Sequence, residues 1–158
     1  MKKTALYPGS FDPVTQGHID IVERGLTVFD EITVLIAESS QKKSLFSLSE
    51  KIEMLTEVFK DEPRVMVDSW PGLLMDYAVK KRASAILRGL RAVSDFEYEF
   101  QMASMNKRLY SDIETFFMMT GEKYYFISSH LVREVAGLGG ALKDIVPPVV
   151  EKKLREKF

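Results

Sequence analysis

Ile32-Thr33-Val34-Leu35-Ile36-Ala37 is a continuous β-rich run without a charged residue. A strand with one wet face alternates apolar and polar side chains, so this pattern belongs to a strand buried on both faces of a parallel sheet. Parallel strands need long crossovers, normally helices. The neighbouring segments supply them. Thr4 to Tyr7 is a short apolar strand, and Ile19, Val22, Leu26 and Phe29 mark one helical face after it. Ser47-Leu48-Ser49-Glu50 has capping-box form, with Ile52, Leu55 and Phe59 at helical spacing behind it. Val65-Met66-Val67 is a third strand, Pro71-Gly72 punctuates the next loop, and Leu73 to Lys81 reads as a helix.

Ala85-Ile86-Leu87 is a fourth strand. Ser94-Asp95-Phe96-Glu97 predicts a second capping box opening a helix through about Arg108, with Phe96, Phe100 and Ala103 on one side. Thr115 to Met119 is a fifth strand, Ser129 to Ala136 a short helix stopped near Gly137, Gly139 and Gly140, and Pro147-Pro148 starts a terminal helix. The alternation predicts a doubly wound, Rossmann-like α/β fold: a five-stranded parallel sheet with right-handed crossovers and C-terminal helices. With 158 residues, 1–158 is expected to form a single domain with a real core.

In such sheets ligands bind beyond the carboxyl ends of the strands. The unusual polar clusters all fall there. Ser10 to His18 follow the first strand, Lys42 the second, Arg88 and Arg91 the fourth, and Tyr124 to Ser129 the fifth. The stretch Tyr7-Pro8-Gly9-Ser10-Phe11-Asp12-Pro13-Val14-Thr15-Gln16-Gly17-His18 predicts strand, loop and helix start, with His18 in the first helical turn. Free N–H groups and the positive end of the helix dipole favour phosphate at such a junction.

The formal net charge of −1 leaves no excess of Lys and Arg to replace counterions along a nucleic acid, so no nucleic-acid partner is expected. The absence of cysteine excludes disulfides, thiolate metal sites and cysteine nucleophiles. Two histidines, His18 and His130, are too few for a histidine-rich metal centre, though phosphate-held Mg²⁺ stays possible. No apolar run is long enough to span a membrane, and the stretch after Met1-Lys2-Lys3 is too short for a signal peptide. The expectation is a cytoplasmic protein without membrane attachment.

His18, Lys42, Arg88 and Arg91 would bring several cations to one crevice of a chain this close to neutral, which implies an anionic ligand with several phosphates. There is no G-x-x-x-x-G-K-[ST], no G-x-G-x-x-G after the first strand and no G-x-S-x-G elbow. Cations around phosphates without an evident general base suit phosphoryl or nucleotidyl transfer, where alignment and charge stabilisation do most of the catalysis. A phosphate nucleophile is already ionised at neutral pH, and the Ser10 hydroxyl is placed to orient it.

Thr15-Gln16-Gly17-His18 resembles the T-x-G-H signature of the nucleotidyltransferase superfamily. Pro8-Gly9-Ser10-Phe11-Asp12-Pro13, together with Arg88-Gly89-Leu90-Arg91-Ala92-Val93-Ser94-Asp95-Phe96-Glu97-Tyr98-Glu99, is similar to bacterial phosphopantetheine adenylyltransferases. Ile127-Ser128-Ser129 and Val132-Arg133-Glu134 resemble that family's I-S-S-[ST]-x-V-[RK]-E segment. The likeness runs along the whole chain, and the Arg-Gly-Leu-Arg block is its most specific part.

The resemblance implies adenylyl transfer from ATP to 4′-phosphopantetheine, with Mg²⁺ carried by the ATP phosphates and no protein metal ligands. It implies that Ser10 and Lys42 contact the attacking phosphate, that His18 and Arg91 stabilise the reacting phosphates, and that Arg88 holds phosphopantetheine. It further implies a nucleotide pocket lined by Phe11, Gly89, Leu90, Glu99 and the segment Tyr124, Tyr125, Phe126, Ile127, Ser128, Ser129 and His130. Leu73, Leu74, Met102, Met105, Asn106 and Glu134 would border the pantetheine arm. A homohexamer regulated by coenzyme A is implied as well. Ser10 stands where many members have Thr and keeps the hydroxyl; His130 stands where Ser or Thr is usual.

Blander roles compete for the same residues. Lys42 and Lys43 suit a solvated loop, Arg88 and Arg91 suit ion pairs with Asp95, Glu97 or Glu99, and Ser128 and Ser129 suit a helix cap. Leu73, Leu74, Met102 and Met105 are by default core or interface side chains. Two other functions compete as well: a same-fold nucleotidyltransferase acting on nicotinamide mononucleotide or glycerol 3-phosphate, and a non-catalytic nucleotide-binding domain. The first lacks support from an R-T-x-G-I-S-T-T string near Ile127, and the second would be expected to lose His18, Lys42 or Arg91.

Overall fold

Strand and helix alternate along the chain in a computed structural model that describes residues 2–38 and 43–158, the side chain of Ser94 excepted. The strands are β1 (Thr4–Gly9), β2 (Glu31–Ala37), β3 (Val65–Trp70), β4 (Ala85–Leu90) and β5 (Glu114–Met119). The helices are α1 (Gln16–Gly25), α2 (Leu48–Val58), α3 (Leu74–Lys81), α4 (Val93–Leu109), α5 (Ser129–Gly137) and α6 (Pro148–Lys157), with a single 3₁₀ turn at Glu122–Tyr124. The sheet is wholly parallel, in the order β3-β2-β1-β4-β5. This is the doubly wound Rossmann-like fold expected from the alternation.

Period-two geometry divides the strands between two cores. Ala5, Tyr7, Ile32, Val34, Ile36 and Leu87 face Ile21 and Val22 of α1, Met54 and Leu55 of α2, and the two C-terminal helices. Leu6, Leu35 and Ile86 face Met75 and Ala78 of α3. The run that anchored the fold prediction is buried on both sides, as its lack of alternation required.

The β1–β2 ladder runs in register from Thr4↔Glu31 to Gly9↔Ile36. Between β1 and β4 only Ala5↔Ala85 and Leu6↔Ile86 pair, so the two strands part towards their carboxyl ends. Sheet order reverses at this point, which is where an open α/β sheet holds its ligand. Arg88 spans the gap, donating from Nη1 to the Pro8 carbonyl. Pro8 has no N–H to give a ladder, and on this side the ladder has already ended.

One sequence expectation changes. The predicted Ser94 capping box is absent: α4 begins at Val93, behind Ala92 as N-cap, with no side-chain cap. Asp95 sits in the first turn and accepts from Arg91 Nε instead (3.0 Å), so an acidic residue still meets the positive end of the helix. The apolar side of α4 forms as expected, but nothing among the described residues covers it. Phe96 and Phe100 stack with ring centroids 5.8 Å apart, yet are 50% and 57% exposed.

The terminal helix is firmly docked. Val150 and Leu154 are wholly buried, and Lys153–Glu53 (3.0 Å) and Lys157–Glu50 (2.8 Å) tie α6 to α2. Leu154→Ala should therefore destabilise the fold by about 2–5 kcal/mol, the usual cost of a Leu-sized cavity. Urea unfolding followed by circular dichroism would show it as a lower midpoint with unchanged slope.

Candidate active site

The parting of β1 from β4 opens a cavity of about 480 Å³ beyond the strand ends. Tyr7, Pro8, Gly9 and Ser10 form one wall, with Asp12, Thr15, Gly17 and His18 from the loop and first turn of α1. Lys43 and Ser44 approach from the β2 side, and Arg88, Gly89, Arg91, Asp95 and Glu99 from the β4 side. Thr120, the first turn of α5 (Ile127 to His130) and Arg133 close it.

Of the predicted residues, Ser10, His18, Arg88, Gly89, Arg91, Glu99, Ile127, Ser128, Ser129 and His130 thus share one cavity. Lys42 lies outside the described residues, and the described lysine at the rim is its neighbour Lys43. Phe11 is buried beneath the loop, not in the lining: its ring meets Tyr7 edge-on at 5.6 Å and His18 at 5.0 Å. Its φ of 44° lies in the left-handed region. Gly9 is small for a local reason, since a Cβ there would stand 3.0 Å from the Phe11 ring.

Leu90 is buried in the strand, while Tyr124 and Tyr125 are half-buried outside the lining and Phe126 is 85% exposed. The proposed pantetheine border does not line this cavity either. Leu74 packs on the second core, Asn106 is half-buried, and Leu73, Met102, Met105 and Glu134 are exposed.

His18 is set by its own helix start. As third residue of α1 behind the N-cap Thr15, it takes the place Glu or Gln holds in a capping box. The Thr15 backbone N–H donates to Nδ1 at 3.0 Å. An accepting Nδ1 carries no proton, so the neutral ring bears its hydrogen on Nε2. Burial, then the Arg91 and Arg88 charges, pushes the imidazole down from 6.5 to about 4. At neutral pH it is an uncharged donor.

Between about 6.5 and about 4 the unfolded chain takes up a proton that folded His18 refuses. Stability conferred by this group is therefore complete above about 6.5 and is lost as pH falls towards 4. Two results are expected. The His18 Hε1 resonance should titrate with a midpoint near 4, and His18→Gln should flatten the acid side of the stability profile. A midpoint near 6.5 would mean that the ring is not held neutral.

Both arginines are ion-paired. Arg88 grips Glu99 with Nε (2.7 Å) and Nη2 (2.5 Å). Arg91 contacts Asp95 through Nε at 3.0 Å and the Ile127 carbonyl through Nη1 at 3.1 Å. The structural role weighed against ligand binding is thus occupied, but each guanidinium has five N–H donors and keeps two free. Glu99, which its sequence alone makes a surface residue, is buried through this pair. Ser128 caps α5 by accepting from Leu131 N–H (3.1 Å), and Ser129 Oγ donates to the Pro13 carbonyl (2.7 Å).

Residue-by-residue reading missed Tyr7, Asp12, Thr15, Ser44, Asp95, Thr120 and Arg133 as cavity residues. Asp12, Asp95 and Arg133 had a visible signal, as charged residues inside the quoted motif strings. Among the described residues no three His, Asp or Glu side chains gather as a metal site. Asp12, Asp95 and Glu99 each face an arginine. Cations, hydroxyls, helix starts and one neutral imidazole give the cavity a chemistry suited to anionic ligands.

Residues 6–135 match the family model described as Cytidylyltransferase-like. The chain is 59% identical to the phosphopantetheine adenylyltransferase of Desulfosudis oleivorans, over 99% of this chain and 93% of that one. It is 55% identical to the phosphopantetheine adenylyltransferase of Syntrophus aciditrophicus, over 100% of this chain and 96% of that one. Full-length identity of this degree, in a chain with an arginine-lined cavity at the switch point, decides it: the chain belongs to the phosphopantetheine adenylyltransferase family.

Proposed function

We propose that this protein transfers the adenylyl group of ATP to 4′-phosphopantetheine, giving dephospho-coenzyme A and pyrophosphate in coenzyme A biosynthesis. The observation that carries the reading is the meeting of His18, Ser10, Arg88 and Arg91 in one cavity, in a chain with full-length relatives of that name. An oxygen of the acceptor phosphate attacks the α-phosphorus of ATP. The bond to the β-phosphate oxygen breaks, and pyrophosphate leaves with the electron pair. No proton need move, so no general base is required.

In this scheme the Nε2–H of His18 donates to an α-phosphate oxygen as charge gathers there. Ser10 orients the attacking phosphate with Lys42, Arg91 spreads charge on the reacting phosphates, and Arg88 holds the acceptor. Backbone at Phe11, Gly89 and Leu90, with Glu99 and residues 124–130, would hold the nucleotide. Leu73, Leu74, Met102, Met105, Asn106 and Glu134 would border the pantetheine arm. Mg²⁺ would be carried by the triphosphate, where it neutralises charge; paired as they are with arginines, the cavity carboxylates do not suit it as ligands.

A homohexamer, feedback by coenzyme A and a cytoplasmic location complete the proposal. The uncovered apolar residues of α4, among them Val93, Phe100 and Met105, support self-association. Sedimentation would test the hexamer. Pyrophosphate release from ATP, compared across 4′-phosphopantetheine, nicotinamide mononucleotide and glycerol 3-phosphate, tests the reaction. Turnover only with the first is expected; turnover only with either of the others would overturn the assignment.

A further inference from the structure

We propose that Asp12 is a positioning residue that keeps the opposite walls of the cavity in register, an inference resting on the adenylyl-transfer reading above. Its side chain is 7% exposed and joins three distant segments. Oδ2 accepts from the Leu45 N–H and Oδ1 from the Phe46 N–H, both at 2.9 Å. Lys51 Nζ stands 4.0 Å from Oδ1 and donates to Ser44 Oγ at 2.9 Å. Arg133 of α5 donates to the Asp12 carbonyl, with Nη1 3.5 Å from Oδ2.

A buried carboxylate between two cations is a poor way to obtain stability, because apolar residues fill such a seam without desolvating charge. What the arrangement supplies is geometry. Ser10 lies two residues before Asp12, Arg133 is its direct partner, Ser44 is held by its neighbour Lys51, and Ser10, Ser44 and Arg133 all line the cavity. Between Ser10 and Asp12 the chain passes through the left-handed Phe11, a conformation that persists only where its surroundings over-determine it. The Phe11 ring is fixed from one side by Tyr7 and His18, and the backbone from the other by Asp12. One carboxylate thereby ties the loop expected to orient the attacking phosphate to the β2 side of the cavity and to α5.

Transfer needs the reacting atoms held at about 3–3.5 Å, and a shift of about 1 Å can cost about 10²-fold. Asp12→Glu keeps the charge and moves it by one methylene, while Asp12→Asn keeps the shape and removes the charge. Each should lower kcat at least about tenfold, with KM for both substrates within about threefold, at a temperature where circular dichroism shows full folding. Leu154→Ala, destabilised at α6 away from the cavity, should retain wild-type kcat. Amide exchange at Leu45 and Phe46 should quicken in both Asp12 variants.

A folded Asp12→Glu enzyme with wild-type kcat would overturn the inference, as would Leu154→Ala losing kcat in proportion to its lost stability. If Asp12→Asn does not fold, Asp12→Glu decides. If the wild type releases no pyrophosphate, the transfer reading fails by itself. Asp12 is then judged by amide exchange and by pyrophosphate affinity, and no change in either overturns its role.

Discussion

His18→Ala should lower kcat by about 10²–10³-fold while weakening ATP binding by less than about tenfold. The ring is a neutral donor held by the Thr15 N–H, beside two guanidiniums that already attract the ground-state phosphates. Its own bond therefore matters most when the α-phosphorus becomes five-coordinate and its oxygens gain charge. Steady-state kinetics with calorimetric ATP titration separates the two effects. Equal losses in rate and affinity would mean that His18 only binds ATP. His18→Gln, which keeps a neutral N–H, should recover part of the rate.

Arg88→Ala has the second largest expected effect, and it falls on two properties at once. Removal of the guanidinium leaves Glu99 as a buried, unpaired carboxylate, which costs about 3–5 kcal/mol for a fully buried pair and less for one open to a cavity. It also leaves a negative charge facing a negatively charged acceptor. Stability should fall by about 2 kcal/mol, and KM for the acceptor should rise by at least about tenfold. The double variant Arg88→Ala/Glu99→Ala separates the roles. It should regain most of the stability, because the stranded charge is gone, but not the acceptor affinity, because no cation has returned. Arg88→Lys should not rescue binding, since an ammonium cannot make the two-pronged contact with Glu99 and still reach the Pro8 carbonyl. Recovery of both properties in the double variant would show Arg88 to be structural only.

These effects differ in how far the sequence anticipates them. His18 could be placed from residues alone: a strand, a glycine-bearing loop and a helical period put it in a first turn whatever the rest of the chain does. The doubly covered parallel sheet followed from the same local logic, because a run buried on both faces demands helices on both sides; its strand order came only from the structure. Even the edge at which Ser10, Arg88 and Ser128 gather was legible, since parallel strands put all their carboxyl ends together.

The failures are those of pairing across distance. The Ser94 capping box was a fair reading of four residues, but Arg91 takes Asp95, and α4 starts two residues earlier than that box implies, at Val93. Glu99 reads as a surface helix residue until β4 places Arg88 against it. Asp12 shows no partner nearby in the sequence; its partners are the Leu45 and Phe46 amides, Lys51 and Arg133. The apolar side of α4 was legible from its helical spacing, but spacing does not say whether anything lies opposite.

By itself the sequence determined the parallel α/β fold, the strand–loop–helix junction, the position of His18 and, through resemblance, the reaction. Local periodicity, cap chemistry and loop residues carry that information in short windows. The tertiary structure alone decided which charges are spoken for. It paired Arg88 with Glu99 and Arg91 with Asp95, lowered His18 to a neutral donor, and made Asp12 the tie between three segments. The physical reason is that burial and Coulomb interactions depend on distance in space, and residues 33 or 121 positions apart become neighbours of Asp12 only when the sheet has formed.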